Sequence, residues 1–78
     1  MILTREQVRQ FLHHLHIIPV SKGLTHEWML QNAPNWTTER LVEALLEEGA
    51  IERVDPNDGG HFSGWQPVED LTEVSVQP

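Results

Sequence analysis

Apolar residues fall at Val8, Phe11, Leu12 and Leu15 in the segment that follows Thr4. That spacing predicts an amphipathic helix capped by Thr4, with one stripe inward and Arg5, Arg9 and His13 outward. Pro19 ends the pattern, and SKG at 21–23 reads as a turn. A short second helix is expected from Thr25, with Leu24 and Met29 spaced as a hydrophobic staple and Trp28, Met29 and Leu30 on its inward side. Asn32, Ala33, Pro34 and Asn35 close it, because Pro34 lacks an amide hydrogen and restricts its predecessor. The third helix is the best marked. Thr37 caps it, Trp36 and Leu41 make a second staple, and Leu41, Val42, Leu45 and Leu46 line one face. Gly49 falls where a left-handed C′ residue belongs, with Ala50 and Leu45 positioned for the accompanying contact.

After that helix the pattern changes. AIERV at 50–54 predicts a short strand, DPNDGG is turn chemistry, and HFSGWQPV returns as a second strand. Gly64 marks a bulge and Pro67 an edge position. From Glu69 the chain is polar and charged, and EVSVQP reads as a loose end. The expected class is α+β: a small domain of three helices followed by a two-stranded hairpin.

A length of 78 residues allows one domain and one small core. The chain has no cysteine, which excludes disulfides, thiolate zinc sites and cysteine nucleophiles. The opening MILTREQ has no basic region leading into an apolar stretch, so no signal peptide is expected. No apolar run approaches the roughly 20 residues that span a bilayer, and the expected setting is soluble and cytoplasmic. Net charge is −7. Residues 1–38 are nearly balanced, whereas residues 39–58 hold seven acids against Arg40 and Arg53. Glu69, Asp70 and Glu73 add to the acidic excess.

The order of elements, and above all TTERLVEALLEEGAIERV at 37–54, resembles the winged helix-turn-helix superfamily. There a leucine-rich third helix ends in glycine and runs into the first strand of the wing. The resemblance covers Thr4 to Val68, giving a domain over 1–68 and an acidic, flexible tail over 69–78. It is specific for fold and unspecific for function, since the superfamily contains DNA readers, RNA binders and protein-interaction modules. Carried over from its DNA-binding members, the groove-facing positions are Thr37, Thr38, Arg40, Glu43, Ala44 and Glu47, and the wing tip is Asp55, Asn57 and Asp58. DNA readers carry Arg or Lys at several such places, and here only Arg40 fits.

Charge therefore argues against DNA. Phosphate contacts come from cations, yet Glu39, Glu43 and Glu47 recur every four residues and stack along one side of the helix. One reading makes them a solvated face; the sharper one makes Glu39, Glu43, Glu47, Asp55 and Asp58, with Trp65 as an anchor beside Phe62, a contact surface for a basic protein partner. The resulting expectation is a non-enzymatic interaction module, an adaptor, regulator or inhibitor, competing with nucleic acid for that basic surface. The alternative is a DNA-binding regulator, monomeric or dimeric, in which Arg40 and Thr38 read bases while Arg5, Arg9 and Lys22 hold the backbone.

Other chemistry is weakly signalled. His13 and His16 are three apart on a helix but lack a third ligand nearby, and surface histidines explain them better. DPNDGG has Gly59 and Gln66 where a calcium loop needs acids. Ser21, Ser63 and Ser75 lack a nucleophile elbow, and no phosphate loop is present. No metal and no cofactor is expected, and Trp28 and Trp36 read as core.

Overall fold

The computed structural model describes residues 1–16, 21–53 and 65–78, with the side chains of residue 16 and of residues 21–24 outside that description. Seven elements follow one another: β1 (Ile2–Thr4), α1 (Arg5–His16), α2 (Ser21–Asn32), α3 (Thr38–Glu47), β2 (Ile51–Arg53), β3 (Trp65–Pro67) and β4 (Glu73–Ser75). They make a small α+β domain with two antiparallel two-stranded sheets, β1–β4 and β2–β3.

Helix α1 begins with a reciprocal cap. The Gln7 amide donates to Thr4 Oγ1 at 3.2 Å, and the Thr4 amide donates to Gln7 Oε1 at 2.8 Å. Two helix-start donors are thereby satisfied by one residue pair. Val8, Phe11 and Leu12 are buried as the spacing requires, and the Phe11 ring lies 5.0 Å from that of Trp28 on α2. A polar contact closes the same interface: Gln7 donates to Asn32 Oδ1 at 3.1 Å, and Asn32 donates to the Trp28 carbonyl at 2.9 Å.

Helix α2 starts at Ser21, four residues before the expected Thr25. Glycine in a helix costs only about 1 kcal/mol relative to alanine, so Gly23 does not stop a helix that buries Trp28 and Met29 further along. Leu30, expected inward, is 57% exposed. Among the described residues of this helix the inward positions are Thr25, Trp28 and Met29, three and four apart.

Helix α3 conforms at both ends. The Arg40 amide donates to Thr37 Oγ1 at 3.1 Å, and Gly49 follows the helix at φ +68. The Ala50 amide reaches the Leu45 carbonyl at 2.9 Å and the Gly49 amide reaches Leu46 at 3.0 Å. That pair of bonds is a Schellman closure, which needs a residue comfortable in the left-handed region.

The closure delivers the chain into β2, which pairs with β3 in the register Ile51↔Pro67, Glu52↔Gln66 and Arg53↔Trp65. The Val68 amide donates to the Ala50 carbonyl at 2.9 Å. Antiparallel alternation then makes Ile51–Pro67 a pair without ladder bonds, so Pro67 forfeits none. Residues 54–64 between these strands, which include Gly64 and the DPNDGG read as a turn from sequence, lie outside the described residues.

The C-terminal segment departs from expectation. Residues read as a loose end instead form β4, paired with β1 in the register Ile2↔Ser75, Leu3↔Val74 and Thr4↔Glu73. Leu3, Val74 and Val76 enter the core. Val74 and Val76 alternate with polar neighbours, the period-two signature of a half-buried strand, and their burial repays the ordering of a polar segment.

Candidate functional site

Leu41, Ala44 and Leu45 turn α3 toward the core, which leaves Glu39, Glu43 and Glu47 exposed on its other side. Ala44 was among the groove-facing positions implied by the winged-helix resemblance, but it is 2% exposed and cannot touch a ligand. The three glutamates do not act alike. Arg40 Nη1 bonds Glu43 at 3.1 Å and Glu47 at 2.9 Å, and its Nη2 donates to the Gln77 carbonyl at 3.2 Å. The guanidinium is held above its ordinary pKa, chiefly by the hydrogen bond to Glu47. Glu39 makes no ion pair among the described residues.

The remaining arginines are also engaged by the protein itself. Arg5 Nη1 donates to the carbonyls of Val68, Glu69 and Leu71 at 2.7, 3.1 and 3.1 Å, pinning the turn between β3 and β4 to the start of α1. Arg9 bonds Glu6 through Nε at 2.9 Å and through Nη2. The hydrogen bond from Arg9 draws the Glu6 carboxyl below its ordinary pKa. Arg53 lies 5.3 Å from the centroid of the Trp65 ring, its cross-strand partner. The proposed basic patch of Arg5, Arg9 and Lys22 is therefore not a set of unoccupied cations in its two described members; the Lys22 side chain lies outside the described residues.

Trp65 is half-buried and packs against the core, so its apolar area serves first to seat the hairpin on the helices. Phe62, Asp55 and Asp58, with which it was grouped, lie outside the described residues. Glu52 on the same hairpin accepts a 2.8 Å hydrogen bond from Gln66. His13 is exposed and its ring centroid stands 6.1 Å from that of His14. Among the described residues no group of three or more histidine or carboxylate side chains is placed to hold a metal ion, and no helix is long and apolar enough to cross a membrane.

A cavity of about 440 Å³ opens at the N-terminus of α3. Among the described residues its apolar walls are Leu15, Met29 and Trp36, and its polar lining comes from Thr25, His26 and the first turn of α3, Thr37 to Glu39. Sequence reasoning took Trp36 for a staple and placed it in the core. It does pack against the core, but it stays half-buried because it also walls this cleft. The signal available beforehand was position: a residue just before an N-cap sits at a helix mouth, where one side of a large ring readily meets solvent.

Comparison with family models, with curated proteins and with solved structures finds no match to this chain.

Proposed function

We propose that this protein is a non-enzymatic interaction module of winged-helix type that binds a basic surface on another protein through the acidic side of α3. One observation carries the reading: each arginine among the described residues is already engaged by the protein's own carboxylates, carbonyls or Trp65, while the outward side of α3 shows three glutamates against one paired Arg40. Nucleic-acid affinity comes from cations that exchange counterions for phosphates. Here each such exchange first breaks an internal contact, and net charge −7 opposes the encounter. A basic protein surface meets a favourable charge instead, because Glu39, Glu43 and Glu47 lie together on an exposed helix face where Glu43 and Glu47 share a single Arg40 and Glu39 has no ion pair among the described residues. The winged-helix arrangement is supported by the order of three helices and hairpin, and by the Gly49 closure that leads α3 straight into β2. A target that normally binds nucleic acid through such a basic surface would lose access to it, which makes the module an inhibitor or regulator by competition.

The test compares two fluorescent probes by anisotropy: a mixed-sequence DNA duplex and a nona-arginine peptide, at about 50 and 200 mM salt, where phosphate-driven binding falls steeply. Binding to the peptide and none to the duplex is expected. Duplex binding that weakens with salt and is lost in Arg40→Ala would replace this reading with that of a DNA-binding regulator.

A further inference from the structure

Resting on the reading just given, and going beyond it to the point of contact, we propose that the cavity at the N-terminus of α3 is the receptor for an arginine side chain of the partner. The observations are its walls and its charge. Leu15, Met29 and Trp36 supply apolar surface, and Glu39 is the one carboxylate among the described lining residues, which include His26 but no lysine or arginine. Glu43 and Glu47 share Arg40 and Glu6 takes Arg9, whereas Glu39 has no ion-pair partner among the described residues. Among the described residues, then, nothing neutralises it.

Charge complementarity selects the occupant. A carboxylate ligand would find the amides at the start of α3, but the helix terminus carries only about half a positive charge. Glu39 opposes that with a full negative one. A purely apolar ligand would cover the walls and leave the Glu39 carboxylate unmatched. A long cationic side chain satisfies both: its methylenes lie along the apolar walls and its head meets the carboxylate. Arginine fits better than lysine, because a planar guanidinium pairs with a carboxylate through two parallel bonds and stacks on an aromatic ring such as Trp36. The volume, about 440 Å³, lies within the range of roughly 300–1,000 Å³ for ligand pockets and leaves ample room for an arginine side chain. The ridge of Glu43 and Glu47 then adds attraction along the helix, while the cavity sets the register of the partner.

The probe is a fluorescein-labelled nona-arginine peptide, with nona-lysine as comparison, titrated into the full chain. Glu39→Gln is expected to lower nona-arginine affinity roughly three- to fivefold, the size of a partly exposed ion pair. Glu73→Gln removes the same charge outside the cavity lining and should change affinity far less. Trp36→Leu should abolish the preference for arginine over lysine, and circular dichroism shows whether that variant is folded. Equal losses in Glu39→Gln and Glu73→Gln would overturn the cavity as receptor while leaving the acidic-surface reading intact. Absence of any binding by wild-type protein would overturn both.

Discussion

Arg40 and Glu47 stand seven residues apart on α3 and meet at 2.9 Å, with Glu43 at 3.1 Å on the same guanidinium nitrogen. The guanidinium thus neutralises part of the face on which it lies. Removing it by Arg40→Ala exposes two carboxylates and should tighten binding of a nona-arginine probe several-fold at about 50 mM salt, with the gain fading at 200 mM as screening grows. Weaker binding in this variant would mean that Arg40 itself contacts the partner.

A second prediction concerns the β1–β4 pair. The Val76 amide donates to the Met1 carbonyl at 2.8 Å, and Leu3 and Val76 are each 1% exposed. Leu3→Ala should cost about 2–5 kcal/mol in urea unfolding, as buried leucine truncations do. A domain of this size has roughly 4–12 kcal/mol in total, so the loss is large. Val76→Ala should also shift the midpoint well beyond the ±0.5 kcal/mol of an ordinary surface change. A midpoint unmoved in Val76→Ala would mean that the C-terminal segment is loose in solution.

These elements show where a sequence is informative. Helix α3 was readable because its cap, its Gly49 stop and the Leu41 and Leu45 positions of its stripe are local signals lying within about a dozen residues. Leu46, expected on that stripe, is instead 41% exposed, and Ala44 takes the inward position. Strands β1 and β4 were not, because neither three-residue strand is stable alone and the partner of Leu3 is Val74, at the other end of the chain. Only the alternation of Val74 and Val76 hinted at it. The start of α2 was missed because Ser21 and Gly23 favour turns by margins that burial of Trp28 and Met29 overrides. At the candidate site, spacing alone placed Glu39, Glu43 and Glu47 on one ridge. It could not reveal that Arg40 turns toward the latter two and Gln77, which leaves Glu39 to the cavity.

Gly49 gives a third prediction. At φ +68 any residue with a Cβ is strained, yet a Cβ added there meets no atom within 4 Å. Gly49→Ala should therefore cost about 1–2 kcal/mol through backbone conformation alone. Gly49→Asn should cost less, since asparagine tolerates this region better. Chemical denaturation distinguishes the two. Equal and larger losses would point to a steric cause instead.

The last prediction is a pH dependence at α1. Glu6 is held below the ordinary carboxylate range, chiefly by the hydrogen bond from Arg9, so the folded chain binds this proton more weakly than the unfolded chain does. Protonation consequently favours unfolding. The contribution of the pair is fully present above the ordinary glutamate value of about 4.3, and it is lost as pH falls through that value and then through the lower folded one. Both side chains are more than half exposed, at 57% for Arg9 and 60% for Glu6, so salt should weaken the effect. The clean readout is the Glu6 side-chain carboxyl resonance, titrated by NMR in wild type and in Arg9→Ala. Replacing Arg9 should raise the Glu6 midpoint toward the ordinary range. An unmoved Glu6 midpoint would show that the contact does not persist in solution, and Arg9 would then return to the set of cations available to a polyanion. That outcome would weaken the case against nucleic acid at the one arginine of α1 that is not tied to the β3–β4 turn.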